Sequence, residues 1–276
     1  MTEARLQSIL KAAGKETGVI GTVNYRLRGT ERPAPTTTPQ SYDLHQLLRE
    51  MVTEGVRYVV MEVSSHALDQ ERVRGCHFDG GVFTNLSPEH LDYHMDMDRY
   101  FTVKKRFFRE ILAETEKSPW AVINGDDPLL SGLGKEFPAL QVTTFGLDHG
   151  EVRASRREIT LEGIRATLTT PVGQVEIRTS LVGDYNLYNI MAATAVGVAL
   201  GIPLETIRQG IEGLSLVPGR MERVGDGNPW VLVDYAHTPD ALEKAVKEVK
   251  RLARGKVFLV LGCGGILLID AIELSQ

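Results

Sequence analysis

The densest polar cluster in the chain is Thr84-Asn-Leu-Ser-Pro-Glu-His-Leu-Asp-Tyr-His94, with His90, Asp92 and His94 at alternate positions. Imidazole and carboxylate groups suit zinc, manganese or magnesium, so a metal site, even a zinc hydrolase, is one reading. A helix-start loop is the other, with Ser87 as cap, Pro88 in the first turn and the histidines facing water. A second cluster, Glu62-Val-Ser-Ser-His-Ala-Leu-Asp-Gln-Glu-Arg72, ends an apolar run. Glu62 could hold a cation there, and the Ser64 hydroxyl and Arg72 guanidinium could take an anionic substrate. A serine nucleophile served by His66 is disfavoured, because no Gly-x-Ser-x-Gly is present and neighbours on an extended segment point to opposite faces. Lys104 and Lys105 read by default as solvated lysines. Asp234-Tyr-Ala-His-Thr-Pro-Asp240 is either a capped helix start, with Thr238 as cap, or a ribose contact through Asp234. Arg220, beside Gly219, is a phosphate binder or a surface arginine.

These groups need a scaffold, and the spacing of apolar residues predicts one. Leu6, Ile9, Leu10 and Ala13 mark a helix stopped by Gly14, and Gly18 to Tyr25 reads as one strand. Arg32 to Pro39 is expected to be irregular, since Pro33, Pro35 and Pro39 remove donors. A helix capped by Ser41 runs to Glu54, a buried strand spans Arg57 to Val63, and another spans Val82 to Leu86. Asp98 to Glu114 is an amphipathic helix, Trp120 to Asn124 a strand and Asp126 to Leu133 a short helix. Such alternation implies an α/β fold with a mostly parallel sheet flanked by helices. Val152 to Val182 switches to period two with a turn at Pro171-Val-Gly173, as expected of a small antiparallel β insertion. Two helices follow, Asp184 to Leu200 and Pro203 to Gly213. A second unit opens with a strand at Trp230 to Val233, a helix from Pro239 to Arg254 and a strand at Val257 to Leu261, the start of a Rossmann-like domain.

Composition narrows the classes. With 276 residues, 42% hydrophobic and 24% charged, the chain can bury a sizeable core and suggests about two domains. The longest apolar stretch, Val257 to Ile269, is cut by three glycines and is shorter than the ~20 residues a membrane span needs; membrane insertion is not expected. No secretory leader is legible at Met1 to Arg5, so the cytoplasm is the expected compartment. Two cysteines, Cys76 and Cys263, cannot make a disulfide framework. A net charge of -5 argues against a nucleic-acid partner held by phosphate neutralisation.

Several strings then agree at once. They are Thr37-Thr-Pro39, Met61-Glu-Val-Ser-Ser-His-Ala-Leu68 with Gln70 and Arg72, Phe83-Thr-Asn-Leu86, Glu89-His-Leu-Asp-Tyr-His94 and the Tyr100-to-Lys104 spacing. Asn124-Gly-Asp-Asp127, Gly183-Asp-Tyr-Asn186 with Asn189, Pro218-Gly-Arg-Met-Glu222 and Asp234 to Asp240 continue them. From about residue 5 to Gly265 the chain resembles the Mur ligase family, in its branch that acts on UDP-N-acetylmuramoyl-dipeptide. The resemblance implies contacts to that sugar-peptide from Thr37, Thr38, Ser64, Gln70 and Arg72. It implies magnesium ligation by Glu62, His90 and a carbamylated Lys104, the catalytic group, and contacts to ATP from Asn189, Arg220 and Asp234. Asn85, His94 and His237 belong to the motifs in supporting roles. The implied activity is ATP-dependent addition of a diamino acid, meso-diaminopimelate or lysine, to UDP-MurNAc-L-Ala-D-Glu through an acyl phosphate, in a monomer.

The departures shape a further expectation. No Gly-x-x-x-x-Gly-Lys-Thr phosphate loop is present: Lys15, Lys135 and Lys256 each follow a glycine but lack its other elements. After Gly265 comes an apolar run without a recognised family counterpart, and the Asp-Asn-Pro-Arg type motif that selects the amino acid is missing. Glu89 replaces the commoner aspartate. Residues 1–217 are therefore expected to be the central ATP-binding domain without its first strand and phosphate loop, and 218–276 an incomplete C-terminal domain, the chain alone being inactive. The alternative is a non-catalytic remnant, or a module that binds the sugar-peptide weakly, with apolar sheet surface left exposed.

Overall fold

The computed structural model describes residues 2–225 and 229–262. Helix α1 (Thr2–Ala12) buries Leu6, Ile9 and Leu10, and Gly14 follows it at φ +68°, where a side chain would be strained. The expected single strand after it is two. β1 (Thr17–Ile20) turns at Gly21-Thr22-Val23 into antiparallel β2 (Asn24–Leu27), which pairs with β3 (Thr30–Pro33). The start of the proline segment is thus regular after all: β3 lies on a sheet edge and Pro33 at its end, where a missing donor costs no ladder bond. Helix α2 (Ser41–Thr53) is capped by the backbone of Gln40 rather than by Ser41, and β4 (Tyr58–Met61) runs parallel to β1. The first sheet has the order β3-β2-β1-β4.

Short helix α3 (Ser65–Asp69) follows β4, and β5 (Gly80–Phe83) begins a second sheet. Helices α4 (Leu91–His94) and α5 (Met97–Arg106) come next; α5 starts one residue earlier than the spacing suggests, because Asp96 accepts from the Arg99 amide, and it widens into a π-helical turn over Phe107–Ile111. β6 (Trp120–Asn124) stands as expected, whereas Asp126 to Leu133 forms turns and only a 3₁₀ turn, Leu133–Glu136. β7 (Gln141–Gly146) was not legible in the sequence. β8 (Val152–Thr160), β9 (Gly163–Thr170) and β10 (Gly173–Thr179) are the antiparallel insertion, which continues the sheet in the order β10-β9-β8-β7-β6-β5. Ile164, Ala166, Leu168 and Thr170 point inward on β9, the alternation read from the sequence. The sheets are mixed: β1–β4 and β5 to β8 pair in parallel, the rest antiparallel.

Helices α6 (Asp184–Ala199) and α7 (Leu204–Gly213) close one core with α1. Gly210 is required there, since a Cβ would sit 2.4 Å from the Ile9 Cα. A second core lies on the other side, built from Leu44, Met51, Phe83, Phe108 and Ile123. Both sheets end on strands that line one cavity of 2230 Å³, β4 for the first and β5 for the second. β4 is accordingly half-exposed instead of buried, with Val59 40% accessible. The second unit also differs from expectation. β11 (Glu222–Val224) and β12 (Val231–Val233) form an antiparallel pair, α8 (Pro239–Leu252) is capped by Thr238, and residues 257–261 join no sheet. A parallel strand there has no described neighbour to pair with, and Phe258 and Val260 stand exposed. The apolar run after Gly265 lies outside the described residues.

Candidate functional site

The β4–α3 turn organises the first group. Thr38 is fully buried, and its hydroxyl donates to the Glu62 carbonyl at 2.8 Å while accepting the Ser64 amide at 3.0 Å. This pins the proline-threonine loop to the end of β4. Ser64 is extended and its Oγ accepts from the Ala67 amide, which makes it the N-cap of α3. Arg72 donates to the Thr38 carbonyl at 3.0 Å and, through Nε and Nη2, to Gln70 Oε1 at 2.9 and 2.6 Å. Thr38, Ser64, Gln70 and Arg72 are thereby brought together, with the guanidinium held at the surface. Thr37 stands apart from the arginine and meets Thr22, whose hydroxyl also reaches the Glu62 carboxylate at 2.8 Å.

Glu62, His90 and Lys104 all face the large cavity, together with Thr37 and Ser64. Glu62 and His90 are exposed, and His90 adopts a left-handed conformation (φ 57°) that starts α4, the role expected of Ser87 and Pro88. Lys104 is not the solvated lysine of the default reading. Burial holds its amine below the usual range, against the opposing charges of Glu89 and Glu62, and its Nζ lies 5.0 Å from the centre of the Tyr100 ring. Lys105 instead pairs with Glu136.

His90, Asp92 and His94 do not converge. Among the described residues no group of three or more His, Cys, Asp or Glu could hold a metal by itself. His94 is buried, shares a 2.9 Å hydrogen bond with Ser65 Oγ and packs on Tyr100. Burial pushes its pKa down, opposed by Asp69 and reinforced by His90, Arg99 and Lys104. The serine that meets a histidine is thus Ser65, with His94 and not His66. Both are buried, so the pair props the α3–α4 corner.

The third group comes from α6 and the segment after it. Asn189 accepts from the Thr2 hydroxyl at 2.7 Å and donates to the Tyr185 carbonyl at 2.8 Å. Asp234, at the end of β12, accepts the Met221 and Ala236 amides at 2.9 Å and meets the Tyr185 hydroxyl at 3.5 Å. Arg220 lies over the Tyr235 ring at 5.4 Å. Asn189 and Arg220 line the same cavity as Glu62 and Lys104; Asp234 stands just behind them.

Two residues that matter here were missed in the sequence. Tyr185 bridges α6 to Asp234. Asp126 gathers the amides of Leu147, Asp148 and His149 and the Tyr188 hydroxyl (2.8 Å). Burial works to raise its pKa, and those hydrogen bonds outweigh it and hold the carboxyl below its ordinary value. The signal available was Asn124-Gly-Asp-Asp127 directly after an apolar strand, where a carboxylate can cap neighbouring loops.

An α/β core that gathers charged and amide side chains from the end of β4, from helices α5 and α6 and from the segment before β11 around one cavity defines the class. Residues 2–197 match the model of the Mur ligase middle domain and 219–272 that of the Mur ligase glutamate ligase domain. The chain belongs to the Mur ligase family. The second match runs through residue 272, into the apolar run expected to lack a family counterpart. More particularly, the chain is 49% identical over 264 residues to the UDP-N-acetylmuramoyl-L-alanyl-D-glutamate–2,6-diaminopimelate ligase of Geobacter metallireducens, covering 94% of this chain and 52% of the relative. It is 43% identical over 268 residues to the Geobacillus kaustophilus ligase of the same name, covering 96% and 55%. A solved structure of a UDP-N-acetylmuramoyl-L-alanyl-D-glutamate–2,6-diaminopimelate ligase superimposes with a TM-score of 0.77 at 29% identity, covering 95% of this chain and 54% of that one. The chain spans about half the length of the relatives it matches.

Proposed function

We propose that this chain carries the sugar-peptide face and part of the nucleotide face of an ATP-dependent ligase that joins a diamino acid to UDP-MurNAc-L-Ala-D-Glu in peptidoglycan precursor synthesis. The carrying observation is the single cavity onto which Thr37, Glu62, Ser64, His90 and Lys104 open from one side and Asn189 and Arg220 from the other. The names of the relatives favour diaminopimelate over lysine. A cytoplasmic, monomeric protein belongs to the same reading; no helix among the described residues is long and apolar enough to cross a membrane.

Magnesium fits the residues present. A hard dication takes oxygen donors; Glu62 offers a carboxylate to the cavity, and a carbamate on Lys104 would add another, with His90 lining the same cavity. Bound there, the ion would neutralise charge gathering on phosphoryl and acyl oxygens. The chain's own residues prepare this. Burial favours the neutral Lys104 amine, the form whose nitrogen attacks carbon dioxide; an N–C bond forms and one proton leaves to solvent. Arg72, braced by Gln70 and the Thr38 carbonyl, presents a fixed donor fork to a substrate carboxylate. Asp234 and Asn189 supply acceptor and amide groups for a ribose and an adenine. In the proposed reaction the peptide carboxylate displaces ADP from the γ-phosphorus, and the incoming amine then displaces phosphate from the acyl carbon.

The test separates binding from turnover. UDP-MurNAc-dipeptide at 100 times its Kd should stabilise the chain by about 2.7 kcal/mol, a clear rise in melting midpoint. In a phosphate-release assay with ATP, magnesium and diaminopimelate the chain alone should show little turnover, because its sequence holds no Gly-x-x-x-x-Gly-Lys-Thr motif. No ligand-dependent shift, or robust turnover, would overturn the reading. The alternative of a non-catalytic remnant gains its support from the edge strands that line the cavity, β4 and β5; a broad transition with dye-accessible apolar surface would favour it.

A further inference from the structure

Helix α6 begins without a side-chain cap of its own. Its N-cap is Gly183, at φ 96°, whose carbonyl accepts the Asn186 amide at 3.1 Å but which has no side chain to accept from the Asp184 amide. The missing acceptor comes from 64 positions away: Glu248 Oε1, on α8, accepts the Asp184 amide at 3.0 Å. Glu248 is itself gripped by Arg251, whose Nη2 lies 2.6 Å from Oε1 and whose Nε lies 3.1 Å from Oε2. The same Nη2 reaches the Asp184 carboxylate at 3.2 Å. The Glu248 side chain is 12% exposed, so its carboxylate is held against the start of α6, while Arg251 covers it from the solvent side. Gly183 is needed for it, because a Cβ there would come within 3.3 Å of Glu248 Cγ at a backbone conformation that L side chains rarely adopt.

The contact joins the two parts of the chain that match separate family models, 2–197 and 219–272. One residue further along α6, Tyr185 meets Asp234 at 3.5 Å across the same junction. The groups assigned above to the nucleotide therefore come from both sides of a junction that Glu248 fastens: Asn189 from α6, and Arg220 and Asp234 from the other part. We propose that Glu248 is a positioning residue, seating α8 on the start of α6 so that Arg220 and Asp234 stand opposite Asn189 at fixed separation. This rests on the nucleotide reading for its purpose, but the seating itself can be measured without any nucleotide. A carboxylate at a helix N-terminus also opposes the positive end of the helix dipole, which favours this placement over a neutral cap.

The experiment uses the full chain with Cys76→Ser and Cys263→Ser, spin-labelled at the exposed positions 162 and 250 through Glu162→Cys and Lys250→Cys. Pulsed electron resonance should give one narrow distance distribution. Glu248→Ala should broaden it at least twofold, while Glu248→Gln, whose amide oxygen can still accept the Asp184 amide, should remain closer to the parent. The far-ultraviolet dichroism of both variants should match the parent, because the sheets lie outside the contact. A distribution in Glu248→Ala as narrow as the parent's would overturn the proposal. ATP binding is the second readout: Glu248→Ala should raise its Kd at least fivefold and leave the Kd for UDP-MurNAc-dipeptide within twofold. If the parent binds no ATP, the nucleotide reading fails and with it the purpose given to Glu248, whereas the distance distribution still decides whether the residue seats α8.

Discussion

Replacing Thr38 with valine tests whether this threonine acts through the protein's own backbone. Valine matches its shape, so packing is conserved while two hydrogen bonds are lost, to the Glu62 carbonyl and from the Ser64 amide. Both partners are then left in a site where residue 38 is wholly inaccessible. At about 1 kcal/mol for each bond, and more where a buried group stays unsatisfied, the loss comes to about 2 kcal/mol. With an unfolding entropy of about 2.1 cal/mol/K per residue, that corresponds to a fall of about 3–4 °C in melting midpoint for this chain. Thr38→Ser keeps the hydroxyl and should lose less than half as much. Differential scanning calorimetry of the three proteins at pH 7.5 reads the difference directly. Equal midpoints for Thr38→Val and the parent would refute the reasoning, and so would a serine variant as unstable as the valine one. Sugar-peptide affinity should fall in Thr38→Val as well, since the Thr38 carbonyl and the Ser64 turn position Arg72 and Ser64.

Three further outcomes follow from the same geometry. Glu89→Gln removes a charge that raises the Lys104 pKa against burial, so more of the amine should be neutral at pH 7.5; the carbamate signal under ¹³C-labelled carbon dioxide should grow, and an unchanged or smaller signal would count against the assignment. His94 has a folded-state pKa below the ordinary 6.5, so its contribution to stability is complete above pH 6.5 and drains away as pH falls through the folded value; His94→Gln should flatten the acid limb of the stability profile between pH 7 and 5, and a parallel limb would contradict this. Asp126→Asn weakens the hold on three loop amides and on Tyr188 and should cost about 1–3 kcal/mol by denaturant titration, an effect absent from a surface control such as Asp240→Asn.

How much of this was legible in the sequence depends on whether local pattern or distant pairing decides each feature. Helices α1, α2, α6 and α7 came through because their apolar positions recur at helical spacing, and β9 because alternation reports a half-buried strand directly. The split of Gly18 to Tyr25 into β1 and β2 did not, since an apolar run says nothing about where it folds back on itself. β4 looked buried from Tyr-Val-Val-Met; its exposure depends on which strand lies beside it, and no periodicity encodes that. Among the candidate site residues, the motifs single out Arg72, Glu62 and Lys104. They could not say that the Thr38 hydroxyl is already used within the protein, or that the histidine beside a serine is His94. Those facts come from contacts 24 to 29 positions apart. Glu248 lay furthest from reading, being one acidic residue among many on an exposed-looking helix.

Arg72 offers the most direct test of the sugar-peptide site. Calorimetric titration of UDP-MurNAc-dipeptide should show saturable one-to-one binding to the chain. Arg72→Ala should weaken that binding at least tenfold, as expected for a charge-assisted pair worth about 1.5–3 kcal/mol, while the melting midpoint falls by less than in Thr38→Val, since one bond to the Thr38 carbonyl is lost. Binding by Arg72→Ala within twofold of the parent, or no binding by the parent at all, would contradict the claim.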